Sequence, residues 1–173
     1  MCVVLETPRL ILREVEDADL EGFFEMDSDP EVVRYVSAPP VTHRDQSLEV
    51  IRFIQNQYTL YGTGRWAVVL KSTGEFLGWC GVRPMTEKTV NGRSDFADLS
   101  YRFLRKHWGK GYATEAAKAS LDHGFQVMGY PEICSYPHKP NVASQSVLEK
   151  LGMKRKNEFV MDGKTMVWFE KNR

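Results

Sequence analysis

Gly109 and Gly111 stand one residue apart between a strand-like segment, residues 96–104, and a helix rich in small side chains, and Arg102, Arg105, Lys106 and Lys110 surround them. Those residue types at that spacing suit an anion, a phosphate group above all. A helix start leaves backbone N–H groups unpartnered and carries partial positive charge, so an anion placed there gains hydrogen bonds and the dipole together. Glycine puts no side chain in its path. Lys110 sharpens the reading, because a cation in the first turn of a helix is disfavoured by the dipole unless an anion sits beside it. A lone Gly-x-Gly also fits an ordinary connection with a solvated basic face, so the surrounding elements have to decide.

To position such a turn, a strand must end in it and a helix must leave from it. Residues 96–104 read as that strand, and Ala113, Ala116, Ala117, Ser120, Leu121, Gly124 and Met128 follow at helical spacing. A face of Ala, Ser and Gly lets the helix lie close to a sheet and aims its N-terminus at the open end of the strand. Upstream, residues 3–13 read as one strand kinked at Pro8. A helix opens at Asp17, with Leu20, Phe23 and Phe24 as its apolar stripe, and ends at Asp29-Pro30 before a short helical turn; a long helix then runs from Thr42 to Gly62. Residues 65–71 and 75–83 form a hairpin, and residues 84–94 a polar, mobile loop. Downstream come a short strand at 132–136, a helix at 141–151 with Asn141 suited to be its N-cap, and a final hairpin turning at Asp162-Gly163. Hairpins mixed with crossover helices predict an α/β (α+β) fold: a mixed, largely antiparallel sheet flanked by helices, not a doubly wound parallel one.

The 173 residues, 42% of them hydrophobic, suit a single domain over residues 1–173 with a real core. Lys plus Arg and Asp plus Glu both number 23, so no overall charge argues for a nucleic acid or a membrane as partner. The charge is uneven, however. Residues 14–31 hold nine acids and no Lys or Arg, whereas residues 102–110 and 150–156 are basic; solvated faces explain any one block. Cys2, Cys80 and Cys134 are odd in number and lack a C-x-x-C pair, which suggests neither a disulfide framework nor a metal site. An acid and Pro8 interrupt the N-terminus before a signal-peptide core forms, and no apolar run is long enough for a bilayer. A cytoplasmic location is therefore expected. No G-x-x-x-x-G-K-[ST] follows a strand and the chain opens without a βαβ unit, which weakens the P-loop and Rossmann alternatives.

With these motifs in place, the chain resembles the GNAT N-acetyltransferase superfamily over nearly its whole length, and within it the branch similar to ribosomal-protein N-terminal alanine acetyltransferases. Trp108, Gly109, Lys110, Gly111, Tyr112 and Ala113 look like the family's acetyl-CoA pyrophosphate loop, and residues 141–153 resemble its second cofactor motif. Residues 7–13 and 29–32 look typical of the branch. The resemblance implies that the backbone of residues 108–113 holds the pyrophosphate and that Phe103 and Leu104 pair through their backbone with pantetheine. It also implies that Asn141 reaches the pantetheine arm through its amide, that Ser144 lies near the thioester sulfur, and that the strands carrying the two motifs splay apart. Two departures stand out: Trp108 where the superfamily often has Gln or Arg, and Leu148 where it often has a Tyr general acid. Leu148 cannot donate a proton, which leaves Ser144 as the replacement.

Acetyl transfer needs a neutral amine, and an α-amino group titrates at about 7.7–8.0 and a lysine at about 10.4, so a base is expected nearby or through water. Asp98 is the first candidate, because alternation with Leu99 puts it on the opposite face of its strand; a surface carboxylate is the plainer alternative. Direct attack needs a donor for the developing oxyanion, and a backbone N–H around Phe103 or Leu104 is placed to supply it. The leaving thiolate, with a reference pKa of about 8.5, asks little of its acid, so a serine hydroxyl suffices; for Ser144 the alternative is a polar residue in a first helical turn. Glu115 suits the helix dipole and is given no catalytic role. His107 and His138 read as exposed loop histidines, and Trp66 and Trp79 as core or groove lining. Acidic first helices bordering the acceptor, opposite the basic turn, would favour a cationic amine. The expected activity is acetyl-CoA-dependent N-acetyl transfer to a primary amine, a protein N-terminus or a small amine. The alternative is an acyl-CoA-binding regulatory module. Exposed aromatics on the last hairpin, Phe159 or Trp168, leave both monomer and homodimer open.

Overall fold

A computed structural model describes residues 3–173; Met1 and Cys2, one of the three cysteines weighed above, lie outside the described residues. An eight-stranded sheet runs in the order β1 (Val3–Glu6), β2 (Leu10–Arg13), β3 (Trp66–Leu70), β4 (Phe76–Met85), β5 (Phe96–Phe103), β6 (Glu132–Ser135), β8 (Lys164–Asn172) and β7 (Lys154–Met161). All neighbouring pairs are antiparallel except β5–β6, which is parallel. The helices are α1 (Leu20–Ser28), α2 (Pro30–Val33), α3 (Arg44–Tyr61), α4 (Tyr112–Gln126) and α5 (Val142–Lys150). The expected mixed, largely antiparallel sheet flanked by helices is what forms.

Alternation along the strands gives each face its own core. Trp66, Val68, Cys80, Val82 and Leu99 pack with Ala116, Ala117 and Leu121 of α4 on one side. Ala67 and Trp79 meet Phe23 and Met26 of α1 and Ile51 and Ile54 of α3 on the other. The small residues of α4 do bring it close: a Cβ on Gly124 would lie 2.7 Å from Ile133 Cδ1.

The feature that opens a site is the break between β5 and β6. They pair only at Ala97–Ile133 and Asp98–Cys134. β6 ends at Ser135, and residues 137–139 beyond it stay with β8, Val167 N–H donating to Pro137 O at 2.9 Å and Lys139 N–H to Thr165 O at 2.8 Å. From Ser100 to Phe103 the outer edge of β5 therefore has no neighbouring strand, and the splay implied by the resemblance is present.

Several local expectations are corrected. Residues 3–13 are not one kinked strand but an antiparallel pair, β1 and β2. Thr7 closes the reversal twice, its N–H donating to Leu10 O at 2.9 Å and its Oγ1 accepting from the Leu10 N–H at 3.0 Å. Residues 84–94 are not an open loop: β4 runs on to Met85, and Val90 and Arg93 exchange backbone bonds of 2.8 and 2.9 Å around Asn91-Gly92. The long helix starts at Arg44, with His43 as N-cap and Gln46, not Asp45, at the third position of its capping box. Trp168 is 1% exposed and sits among the Phe96, Tyr136 and Phe159 rings, so it offers no surface for a dimer.

Candidate functional site

After β5 a short 3-10 turn, Arg105–His107, leads into the glycine turn. Gly109 and Gly111 have φ of 74° and 81°, a left-handed backbone that other residues adopt at a cost. Gly111 is the N-cap of α4 and makes no side-chain cap bond, so the first amides of α4 are offered to whatever lies in front of them. A Cβ on Gly109 would meet nothing within 4 Å; open space lies before the turn, as an anion cradle requires.

The turn is braced from the β1–β2 reversal, a connection that sequence reasoning missed. The Arg9 Nε donates to Glu115 Oε2 at 2.6 Å, the Arg9 backbone N–H to Glu115 Oε1 at 3.0 Å, and Nη1 to the Lys110 carbonyl at 3.0 Å. The guanidinium lies 4.6 Å from the Tyr112 ring centroid. The Thr7 hydroxyl completes the grip on Glu115 at 2.6 Å. Burial pushes the Glu115 carboxyl up, but the bonds from Thr7 and Arg9 outweigh it and hold the carboxyl below the usual range.

In front of the turn, a cleft of about 380 Å³ lies along the splayed edge, lined among others by Tyr101, Phe103, Trp108, Ala113, Asn141 and Ser144. The Trp108 indole N–H donates to the Phe103 carbonyl at 2.9 Å, pinning the turn to the end of β5. Leu104 has to be removed from the expected set of backbone contacts: its N–H donates to Leu77 O at 2.9 Å. Antiparallel alternation then turns the N–H groups of Tyr101 and Phe103 toward the splay. The Asn141 Oδ1 accepts from the Ser144 N–H at 3.1 Å, which makes Asn141 the N-cap of α5 and leaves its Nδ2 as the group it can offer to a ligand. Leu148 is fully buried in the core.

Tyr101 was not singled out by the sequence, and it holds the centre of the site. Its hydroxyl lies 3.1 Å from both the Oγ and the carbonyl oxygen of Ser144. Burial raises the pKa of the phenol, with the Ser144 bond opposing that shift, so at neutral pH Tyr101 keeps its proton.

A second cavity of about 250 Å³ shares Tyr101, Arg102, Asn141 and Ser144 with the first, and Arg65, Trp79, Asp98, Ser100, Tyr136 and His138 also line it. Asp98 is 4% exposed, so the surface-carboxylate alternative falls. Burial pushes its carboxyl up, opposed by Arg65 and Arg83. His107 is no exposed loop histidine either; it is buried, with Nε2 3.2 Å from Glu75 Oε1.

The expected polarity, acids on the acceptor side and free cations on the other, is not what the fold builds. The acidic block packs against the basic turn: Asp27 accepts from Arg102 at 2.5 Å, Glu25 lies 3.0 Å from Lys106, and Asp29 lies 3.9 Å from Arg105. Asp19, Glu21 and Asp17 pair with Arg13, Arg44 and Arg52. These charges pair with one another, most of them at the exposed surface, and the glycine turn is left with its backbone amides.

The split sheet, the helix start without a side-chain cap and the hydroxyl pair where two cavities meet form one site. The sequence profile of the Acetyltransferase (GNAT) domain matches residues 9–154, and the chain belongs to that family; it is an N-acetyltransferase. It is 38% identical over 152 residues to an uncharacterized protein of Bacillus subtilis strain 168, covering 86% of this chain and 84% of that one. It is 34% identical to an uncharacterized N-acetyltransferase of Bacillus licheniformis, covering 87% and 82%. In fold it is similar to a GNAT-family acetyltransferase structure from Bordetella pertussis, with a TM-score of 0.82, 23% identity, and 97% and 98% of the two chains covered.

Proposed function

We propose that this enzyme transfers the acetyl group of acetyl-CoA to a primary amine by direct attack, without a covalent enzyme intermediate. The observation that carries the reading is the meeting of the two cavities at Tyr101 and Ser144 beside the open edge of β5. Acetyl-CoA, a substrate, supplies an activated acetyl thioester.

Amides at residues 108–113 and Lys110 hold the pyrophosphate, and the open edge at Tyr101 and Phe103, with Asn141 Nδ2, holds the pantetheine arm. The Phe103 N–H stabilises the oxyanion as the carbon–nitrogen bond forms. Asp98, directly or through water, takes the proton that the amine releases. As the carbon–sulfur bond breaks, Ser144 Oγ protonates the thiolate, the Tyr101 hydroxyl replaces that proton through their shared hydrogen bond, and solvent, which receives the proton that Asp98 gives up, returns one to Tyr101. The likeness of residues 7–13 and 29–32 to the ribosomal-protein branch supports an α-amino group as acceptor. Among the described residues no helix is long and apolar enough to cross a membrane, which is compatible with a cytoplasmic location.

Thiol release from acetyl-CoA, followed across a panel of amines and peptides, tests the reading. Acceptor-dependent release that drops on Ser144→Ala supports it. Tight acetyl-CoA binding with no release for any amine would favour the regulatory-module alternative.

A further inference from the structure

The second cavity carries a cation, Arg65, and a carboxylate, Asp98, that form no direct ion pair. Among the described residues Arg13, Arg65, Arg83 and Arg102 stand on the sheet face that bears the cavity, and three have a carboxylate of their own: Arg13 has Asp19 at 2.6 Å, Arg102 has Asp27 at 2.5 Å and Arg83 has Glu87 at 2.7 Å. Arg65 has none within ion-pair distance among the described residues. Its side chain crosses β4 above Gly81, which lies opposite Ser100 in the β4–β5 register and has no side chain to obstruct it. Among the described residues its hydrogen bond is the one from Nε to Ser100 Oγ at 3.1 Å, and its guanidinium lies 4.7 Å from the Trp79 ring centroid. Burial lowers its pKa to about 10, still well above neutrality, so the half-buried Arg65 presents a positive charge to the cavity.

Asp98 lines the same cavity on the far side of Ser100, and no ion pair joins it to Arg65 within 4.0 Å. A cation and a carboxylate that feel each other across a partly dry cavity without forming an ion pair leave room for a molecule that carries both charges and pairs with each. A guanidinium is moreover matched to carboxylate geometry by two parallel N–H donors.

We propose that the acceptor is an amine bearing a carboxylate, with the carboxylate on Arg65 and the amino group between Asp98 and Ser144. A polyamine would place a second ammonium beside Arg65, and an uncharged amine would leave the guanidinium unpaired. Trp79, Met161 and Met166 in the same wall suit an apolar side chain on the acceptor. This inference rests on the transferase reading above and names its acceptor class. The chemistry is met by a free amino acid or by a peptide whose N-terminal residue is acidic.

The test compares matched pairs with the intact enzyme and acetyl-CoA: L-methionine with L-methioninamide, and the C-terminally amidated peptides Asp-Ala-Ala and Asn-Ala-Ala. In one of the two pairs the carboxylate member is expected to have a kcat/KM at least tenfold higher. The ratio falls to about one in Arg65→Gln and survives in part in Arg65→Lys, both variants first checked for native circular dichroism. The pair that shows the ratio identifies the source. Turnover of the amides as fast as the acids overturns the proposal while the transferase reading stands. If no acceptor releases thiol, calorimetry with N-acetyl-L-methionine and its amide in the presence of CoA decides. An Arg65-dependent preference for the acid upholds the acceptor pocket although the transferase reading has failed, and equal or absent binding overturns it.

Discussion

Replacing Arg9 with alanine tests whether the β1–β2 reversal preorganises the pyrophosphate turn. The substitution deletes the ion pair to Glu115, the bond donated to the Lys110 carbonyl and the contact with Tyr112. The Arg9 side chain is 45% exposed, so solvent screening holds the ion pair to about 0.5 kcal/mol. The carbonyl bond contributes about 1 kcal/mol and the cation–π contact about 0.5 kcal/mol. Together they hold the turn in its binding shape by about 2 kcal/mol, and at about 1.4 kcal/mol per tenfold their loss raises the KM for acetyl-CoA by about 10- to 30-fold. The acceptor KM is expected to move less than threefold (about 0.6 kcal/mol), because the backbone N–H of residue 9 and the Thr7 hydroxyl still anchor Glu115 and α4. Initial rates of thiol release with each substrate varied in turn measure both constants. Arg9→Lys should recover part of the loss, since an ammonium restores the charge but not the fork or the stacking. An acetyl-CoA KM within about twofold of wild type (about 0.4 kcal/mol), or an equal rise for both substrates, would refute the reasoning. The brace also sets a pH dependence. Glu115 has a folded-state pKa below its unfolded value, so its contribution is complete above the ordinary carboxylate value of about 4.3 and is lost as pH falls through the depressed one. Acetyl-CoA affinity should therefore hold from neutrality down to mildly acidic pH, and an earlier loss that Glu115→Gln abolishes would contradict the assignment.

Ser144→Ala and Tyr101→Phe should each lower kcat by about 10- to 100-fold with little change in acetyl-CoA affinity, and the double variant should cost little more than either alone; additive losses in kcat would show that the two hydroxyls do not form one relay. Asp98 has a folded-state pKa raised by burial, so its ionised form costs the fold stability as pH rises through that value. Asp98→Asn should thus raise the melting temperature at neutral pH while lowering turnover, and a drop in both would make the carboxylate structural. Gly111→Val places a β-branched residue at a φ of 81°, which costs at least about 1–2 kcal/mol. Acetyl-CoA should then bind at least tenfold more weakly (about 1.4 kcal/mol), with helix content by circular dichroism unchanged, and wild-type affinity would argue against the cradle.

The glycine turn, the small-residue helix behind it and the Asn141 cap were legible because their signals are local. A left-handed glycine, a helix start and a 3.6-residue stripe all lie within one or two turns of chain. The hairpin at Thr7 was misread for a nearby reason: Pro8 signals a break in a strand, but whether the chain bends or reverses depends on the Thr7 side chain closing the turn. The acidic block looked like an electrostatic face because a linear sequence does not show what a helix packs against. Only when α1 lies beside the basic turn do Asp27 and Glu25 find Arg102 and Lys106.

Residue types and spacing alone determined that this chain carries a paired-glycine turn between a strand and a helix in a mixed α/β fold, since backbone conformation and hydrophobic periodicity are written in neighbouring residues. Tertiary structure decided what stands around that turn. Tyr101 meets Ser144 across 43 residues, Arg65 meets Ser100 across 35, and Arg9 meets Glu115 across 106. Such pairs follow from strand register and helix docking, which bury apolar surface collectively. No single residue signals them, so the Tyr101–Ser144 hydroxyl pair, the second cavity and the brace emerge only when the whole sheet has assembled.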